Sequence, residues 1–153
     1  MTQQQAEKQT FVNVIDGEER ASASGDVLDI VNPATGEVYA TSPNSGDEDV
    51  DAAFTAAAKA FESQRWTTPS ERQRMLLRFA DLVEGSAQEL AEVESENTGK
   101  PLGLTLSEEV LVLVDQIRFF AGAARVLEGR ASGEYLRGYT SSVRREPRGP
   151  VAQ

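Results

Sequence analysis

Two residue types that carry much of protein chemistry are missing from this 153-residue chain, which contains no cysteine and no histidine. The lack of cysteine excludes disulfides, thiolate metal sites and a cysteine nucleophile within these residues. The lack of histidine removes the commonest general base and the commonest metal ligand. Little within this chain can therefore perform catalysis on its own.

Long apolar runs are also missing. No stretch approaches the roughly 18–20 apolar residues that a bilayer-crossing helix needs. The N-terminal sequence MTQQQAEKQT is polar and lacks the apolar region of a secretory signal. We therefore expect a cytoplasmic protein with no membrane partner.

Lysine is scarce, with only Lys8, Lys59 and Lys100 among the 15 basic residues, whereas 25 residues are acidic. The formal net charge is −10 and the isoelectric point is about 4.5. A surface this acidic repels the phosphate backbone, so nucleic acid is not expected as a partner. Many carboxylates with few lysines indicate a halophilic protein from a salt-rich cytoplasm. The alternative is an ordinary acidic protein.

The composition is otherwise that of a globular protein, and the length suits one domain. Residues 1–10 are expected to form a disordered tail. Alternating apolar residues predict a strand over Phe11–Asp16 that ends at Gly17. Two β-prone segments, Val27–Val31 and Glu37–Thr41, are joined by the turn residues NPATG, which predicts a hairpin.

Three helices are predicted next. The first begins near Asp47, and its apolar residues recur at spacings of three and four to form one stripe: Val50, Ala53, Phe54, Ala57, Ala58 and Phe61. The second begins with a capping box, in which Thr68 precedes Pro69 at the first helical position and Glu71 lies three residues after the cap.

The second helix has a further capping box available at Ser86 and Glu89, and Gly99 ends it. The third helix is predicted to begin near Ser107 and to close at Gly129. Its predicted buried face consists of Val110, Leu113, Val114, Ile117, Ala121 and Ala124.

The character of the chain changes after Gly129. Glu134–Leu136 and Tyr139–Arg145 are β-prone and are split by Gly138. Only two acids, Glu134 and Glu146, lie among five arginines: Arg130, Arg137, Arg144, Arg145 and Arg148. The pattern predicts a locally basic, strand-like arm.

Candidate chemical groups in the chain have simpler structural interpretations. Thr140–Ser142 carry hydroxyls that no histidine can activate, so they are expected to supply strand or turn polarity. The acidic run at 47–51 favours the positive end of a helix dipole and does not match a calcium loop. Gly99 in TGKP lacks the upstream glycine of a phosphate-binding loop. Core or domain-interface packing is expected for three aromatic residues: Trp66, Phe119 and Phe120.

Several motifs together resemble one family. NPATGE at 32–37, ESENTGKP at 94–101, RFFAGAA at 118–124 and REPRG at 145–149 occur in the order seen in the N-terminal part of NAD(P)-dependent aldehyde dehydrogenases. The resemblance covers about residues 11–153. The stretch GEYLRGYTSSVRREP at 133–147 resembles most the branch that oxidises aminoaldehydes, such as γ-aminobutyraldehyde, and betaine aldehyde.

The resemblance implies an α/β fold that corresponds to the N-terminal part of an aldehyde dehydrogenase. Residues 11–130 would form a β-hairpin and three long helices of the cofactor-binding domain. Residues 131–145 would form an oligomerisation arm, through which the parent protein forms a homo-oligomer, either a dimer or a tetramer. Residues 146–153 would begin the first strand of the Rossmann-like sheet, so the chain is expected to be a truncated fragment.

The resemblance also implies that the parent oxidises an aldehyde to the carboxylic acid with NAD or NADP. In the family, the nucleophilic cysteine, the general-base glutamate and the adenosine pocket come later in the chain. No catalytic, cofactor-binding or metal-binding residue is therefore assigned here, and the segment alone is expected to be inactive and to hold no cofactor. The alternative is a stand-alone helical interaction or regulatory module derived from such an enzyme.

Some members of the family bind a monovalent cation near two positions that correspond to Ile30 or Val31 and to Asn97 in this sequence. Asn97 stands where the family has an acid. The resemblance therefore leaves this cation site open.

Overall fold

The computed structural model describes residues 9–64 and 67–152. Within these ranges the strands are β1 Gln9–Thr10, β2 Asn13–Ile15, β3 Glu18–Arg20, β4 Val27–Val31, β5 Val38–Pro43, β6 Arg130–Leu136 and β7 Tyr139–Val143. The helices are α1 Asp47–Gln64, α2 Pro69–Gly85, α3 Ala87–Thr98, α4 Leu102–Leu104 and α5 Leu111–Ala123, with a π-helical segment at Thr105–Val110. None of the described helices is both long and apolar enough to cross a bilayer.

A three-stranded sheet in the order β1-β5-β4 begins the fold. Strand β1 is parallel to β5, and the Phe11 N–H extends this pairing by donating to the Thr41 carbonyl at 2.8 Å. The expectation of a disordered tail over 1–10 is therefore wrong at residues 9–10, because β5 offers its free edge to their backbone. Residues 1–8 lie outside the described part of the chain.

The predicted strand at Phe11–Asp16 is present as β2, and it continues into a hairpin with β3 that the sequence analysis did not predict. Asp16 and Gly17 turn the chain with φ angles of 57° and 80°. Two successive left-handed residues form the tight turn whose twist matches a β-hairpin. The Asp16–Gly17 pair, which is typical of two-residue hairpin turns, could have predicted this hairpin from the sequence.

The predicted β4–β5 hairpin is confirmed, with antiparallel pairing from Val27 opposite Pro43 to Val31 opposite Val38. Residues 32–36 form the turn that joins the two strands. The Asn32 side chain accepts a hydrogen bond from the Ala34 N–H at 2.9 Å, which is the local turn chemistry expected of asparagine.

Helix α1 begins at Asp47, as predicted. The Asp49 carboxylate is nearly buried and accepts hydrogen bonds from the Gly46 N–H at 3.1 Å and the Ala23 N–H at 3.0 Å. It therefore ties the start of the helix to the loop before β4. Much of the apolar stripe of α1 faces outward, since Val50 and Phe54 are exposed.

The capping box that begins α2 is confirmed. The Glu71 N–H donates to the Thr68 hydroxyl at 3.3 Å, and the Thr68 N–H donates to the Glu71 carboxylate at 2.6 Å. The second predicted box is wrong, because the Ser86 side chain makes no capping hydrogen bond. Its N–H instead continues the helical pattern by donating to the Leu82 carbonyl at 3.1 Å.

The third predicted helix is wrong at both ends. Helical structure begins at Leu102 rather than near Ser107, because the Pro101 carbonyl accepts from the N–H groups of Leu104 and Thr105. The helix ends at Ala123 rather than at Gly129. The buried hydroxyl of Thr105, at the start of the π-helical segment, donates to the Pro101 carbonyl at 3.3 Å.

The core lies where α2, α3, the π-helical segment and α5 meet, and we call these elements the helical core. Its buried residues are Ala80, Val83, Ala91, Val110 and Val114. Ile117 packs against them, in agreement with the predicted buried face. Leu113 was also predicted to lie on that face but is exposed.

Strands β6 and β7 form a separate two-stranded antiparallel sheet, which we call the arm. The β-prone segments after Gly129 are thus confirmed as strands. Residues 146–152 form no strand among the described residues, and the start of a sheet strand in 146–153 stays a prediction for the parent protein. A strand needs a neighbour for its backbone groups, and no described segment pairs with these residues. Gln153 lies outside the described residues.

Candidate functional site

Two turns that are distant in the sequence contact each other, and both carry motifs of the family resemblance. Gly99 ends α3 with a φ of 75°, and its N–H donates to the Ser95 carbonyl at 2.9 Å. A Cβ placed on Gly99 would lie 3.0 Å from Cγ of Pro33 in the NPATG turn. Only glycine combines this left-handed backbone with so close an approach.

A residue of β5 also contacts the end of α3, close to the Gly99–Pro33 contact. The Tyr39 hydroxyl lies 3.4 Å from Oδ1 of Asn97, the next-to-last residue of α3. The first sheet is thereby held against the end of α3. Asn97 is the position that the resemblance connected with a cation, and its side-chain oxygen already has this partner.

Lys100 joins the end of α3 to the π-helical segment. Its Nζ lies 3.0 Å from Oε1 of Glu94 and 2.9 Å from Oε2 of Glu109. These hydrogen bonds, the one to Glu109 first, raise the pKa of Lys100 above its ordinary value. The Lys100 carbonyl accepts from the Ser95 hydroxyl at 2.6 Å. We call Glu94, Lys100 and Glu109 the lysine clasp.

A shallow cleft of about 410 Å³ lies between the two turns. Its walls include Asn32, Ala34, Ser95, Lys100, Pro101 and Leu102. No group of three or more acidic side chains that could hold a metal ion is present in residues 9–64 and 67–152. A monovalent-cation site near Val31 and Asn97 stays a prediction of the resemblance.

A second ionic contact joins α5 to α2. The Arg118 guanidinium lies 2.6 Å from Oε2 of Glu84 and 3.0 Å from Oδ1 of Asp81. The hydrogen bond from Arg118, reinforced by its charge, holds the pKa of Glu84 below its ordinary value. All three side chains are exposed, so this contact links the two helices at the surface and contributes little to stability.

The aromatic pair of the RFFAGAA motif is not in the core of the described residues. Phe119 is 69% exposed and Phe120 is 60% exposed, and their rings meet edge to face at 5.3 Å. Within the described residues the exposure excludes core packing, and the predicted packing at a domain interface stays a prediction. Trp66, which was given the same roles, lies outside the described residues.

The remaining candidates have the structural roles expected of them. Thr140–Ser142 lie in β7 and supply strand polarity. The acids at 47–51 form the first turn of α1, where Asp49 makes the hydrogen bonds described above. The sequence analysis did not foresee that Asp49 would reach Ala23, since nothing local links positions 26 residues apart.

The described residues thus form a small mixed sheet, a helical core and an arm in succession along an α/β chain. The family model described as "Aldehyde dehydrogenase family" matches residues 20–153. The putative aldehyde dehydrogenase DhaS of Bacillus subtilis is 39% identical over 144 residues, which are 91% of this chain and 28% of that protein.

Two solved structures extend the comparison. The NAD-dependent aldehyde dehydrogenase from Sinorhizobium meliloti superposes with a TM-score of 0.76 at 35% identity, over 84% of this chain and 26% of that one. A betaine aldehyde dehydrogenase from Staphylococcus aureus in complex with NAD+ superposes with a TM-score of 0.78 at 30% identity, over 86% and 26%.

The chain therefore belongs to the aldehyde dehydrogenase family. It spans about a quarter of the length of the relatives that it matches and corresponds to a small N-terminal part of them.

Proposed function

We propose that this chain supplies the N-terminal part of an enzyme that oxidises an aldehyde to the carboxylic acid with NAD or NADP. The observation that carries the proposal is the family match over residues 20–153, to which the fold comparisons add TM-scores of 0.76 and 0.78. NAD or NADP, when bound to the full-length enzyme, would supply the hydride acceptor, and the residues of this chain would organise the surface around that chemistry.

The exposed apolar faces support an organising role. On α2, Phe79 and Leu82 are exposed, and on α5, Phe119 and Phe120 are exposed with their rings in contact. Exposed clusters of large apolar side chains mark contacts with further protein. The relatives are about four times longer than this chain, so the remainder of such an enzyme is the proposed cover.

For the cofactor, NAD is favoured over NADP by two compared structures, one named NAD-dependent and one complexed with NAD+. For the substrate, we propose an aminoaldehyde or betaine aldehyde. The support is the stretch at 133–147 and the betaine aldehyde dehydrogenase among the compared structures.

The arm is proposed to mediate homo-oligomerisation. Its exposed side chains include Tyr135, Leu136 and Tyr139, and an isolated two-stranded sheet is marginal in water without further packing. Light scattering of the full-length protein should give a dimer or tetramer, and Leu136→Asp should lower the mass toward that of the monomer. A monomeric parent, or an unchanged mass in a folded L136D variant, would contradict this role.

The activity is tested by following NADH or NADPH formation by the full-length protein with betaine aldehyde, γ-aminobutyraldehyde and acetaldehyde. Turnover with NAD and preference for the first two aldehydes are expected. No reduction of either cofactor with any aldehyde would contradict the proposed function. The 153-residue chain, assayed in parallel, should show no turnover, because it has no cysteine to serve as the family's nucleophile.

We also propose that the protein is halophilic and works in a salt-rich cytoplasm, since its net charge is −10 and only three residues are lysine. Raising KCl from about 0.1 M to about 1 M shortens the Debye length from about 10 Å to about 3 Å and screens carboxylate repulsion. The free energy of unfolding should rise with KCl more than with sucrose, which carries no charge. Equal effects of both solutes would point to an ordinary acidic protein.

A further inference from the structure

Two lysine side chains lie within the described residues, and their surroundings differ sharply. Lys59 on α1 is 77% exposed, and its Nζ has a single ionic contact, at 3.5 Å, with Oδ2 of Asp16. Lys100 is 43% exposed and has two shorter contacts in the lysine clasp, at 2.9 and 3.0 Å. The two amines of one chain therefore form a natural pair for comparison.

The difference matters to any protein that meets aldehydes, because a lysine amine condenses with a carbonyl. The lone pair of the neutral amine attacks the carbonyl carbon to give a carbinolamine. Loss of one water molecule then leaves a C=N bond. An ammonium has no lone pair, so it must first give up a proton. Arginine keeps its charge and does not offer a neutral amine of this kind.

We propose that Lys59 is the amine in the described residues that small aldehydes modify, and that the lysine clasp keeps Lys100 from the same reaction. Two carboxylates contact the Lys100 ammonium at 2.9 and 3.0 Å, so they favour its charged form and cover part of its surface. Lys59 has one long contact and open solvent around it. The proposal rests on the proposed function only for the source of the aldehyde in the cell.

The location of the two lysines makes the difference consequential. Imine formation at Lys100 would leave its nitrogen with at most one N–H, so it could no longer donate to both Glu94 and Glu109 and join α3 to the π-helical segment. Modification of Lys59 would affect only an exposed contact between α1 and the turn before β3. The structure thus directs the reaction to the lysine whose loss disturbs it less.

The test is to incubate the full-length protein with propanal and cyanoborohydride, which delivers hydride to the imine carbon and fixes it as a secondary amine. Peptide mass spectrometry then gives the labelling rate of each lysine, normalised to the rate in urea-unfolded protein. Because two short ionic contacts must be broken to free Lys100 but only one long contact to free Lys59, Lys59 should be labelled faster than Lys100 by about threefold or more. Equal labelling, or faster labelling of Lys100, would overturn the proposal.

Variants of Glu94 and Glu109 test whether these carboxylates, rather than the position of Lys100 in the fold, slow its labelling. Glu109→Gln alone, and Glu94→Gln with Glu109→Gln, should raise the Lys100 rate toward that of Lys59. Glu92→Gln is the matched control, because Glu92 lies on the same helix but pairs with Gln88 rather than with Lys100. The single variant retains Glu94 as a partner of Lys100. Its labelling rate can therefore still be compared with that of the wild type if circular dichroism shows that the double variant is unfolded. A Lys100 rate that neither E109Q nor the double variant changes would overturn the shielding.

The labelling experiment does not measure enzymatic turnover, and its aldehyde is added propanal. Its outcome is therefore independent of the activity assay. If the expected pattern is found but the full-length protein reduces no cofactor, the proposed function fails and this inference stands. If turnover is found but Lys100 is labelled as fast as Lys59, the inference fails alone.

Discussion

Val114 on α5 is 3% exposed, whereas Val143 on β7 is 52% exposed, although both are valines in regular elements of one chain. The first belongs to the helical core, where four further buried side chains surround it. The second belongs to the arm, where the described residues pair its backbone with β6 and leave its side chain open. In the helical core, Val114 has both a hydrogen-bonded backbone and a buried side chain. In the arm, Val143 lies in a paired strand but its side chain is exposed.

The difference between Val114 and Val143 shows that the helical core and the arm depend on different neighbours to cover their apolar side chains. A helix pair buries one stripe of each helix by contact with the other, so the helical core has a buried interior within the described residues. A two-stranded sheet has two faces and needs a second layer to cover at least one of them. The arm supplies no such layer from the described residues, which supports its proposed contact with another subunit.

The largest expected effect contrasts the two valines directly. Val114→Ala should lower the free energy of unfolding by about 2–3 kcal/mol, because it removes buried methyl groups and leaves a cavity. Val143→Ala should change it by less than about 0.5 kcal/mol in the monomer, since the side chain is already solvated. Chemical denaturation measures both. Equal losses would show that the arm packs as tightly as the core.

A glycine pair tests whether the contact between the two turns belongs to the stable part of the molecule. Gly99→Ala should cost about 1–2 kcal/mol, because alanine must adopt a positive φ and its Cβ would press on Pro33. Gly103→Ala is the control, since it lies in α4 with open space at its Cβ and should stabilise by about 0.5 kcal/mol. Thermal melting should move in opposite directions for the two variants. A harmless G99A would mean that the turns separate easily.

The start of the helical core is tested by its caps. Thr68→Ala should cost about 1 kcal/mol, because it removes the capping-box hydroxyl of α2. Ser86→Ala should be nearly neutral, since the Ser86 side chain makes no capping hydrogen bond. Urea titrations of the two variants give the comparison. A loss in S86A as large as that in T68A would contradict the difference between the two helix starts.

The smallest effect concerns charge and pH. Arg118 holds the folded-state pKa of Glu84 below its ordinary value, so this pair stabilises the fold fully above the unfolded pKa of about 4.3. The contribution is lost as pH falls from there through the lowered folded pKa. Arg118→Gln should flatten this part of the stability curve, and salt should weaken the effect because the pair is exposed.

Arg145→Gln in the arm is the control for this measurement, because Arg145 donates to the Glu128 carbonyl, which does not titrate. Its acid limb should match that of the wild type. Parallel acid limbs for R118Q and the wild type would mean that the pair does not couple helix packing to pH.

Features specified by neighbouring residues were predicted well. The Thr68 capping box, the Gly99 helix end and the β4–β5 hairpin each depend on side chains within a few positions of the backbone groups they satisfy. Ser86 had the same local pattern and did not cap, because the preceding helix continued to bond its N–H. The residues at 86–89 match a capping box in composition. The Ser86 N–H nevertheless donates back into α2, and the Ser86 side chain does not cap α3.

Features that depend on distant residues were not predicted. The contact of Gly99 with Pro33, the reach of Asp49 to Ala23 and the pairing of Gln9 with Ala40 join positions that no local pattern relates. The lysine clasp depends on a helix that begins at Leu102, five residues before its predicted start. The π-helical segment inside that helix likewise had no recognised signal in the sequence.

The sequence by itself determined the family through motifs in order, the acidic charge, the absence of cysteine and histidine, and the turns and caps that act within a few residues. The tertiary structure alone decided which apolar stripes are buried. The stripes of α1 and α5 have the same periodicity, yet Val114 is covered and Phe54 is not. Periodicity states that a helix has an apolar face, and only the arrangement of the neighbouring elements decides whether that face is covered.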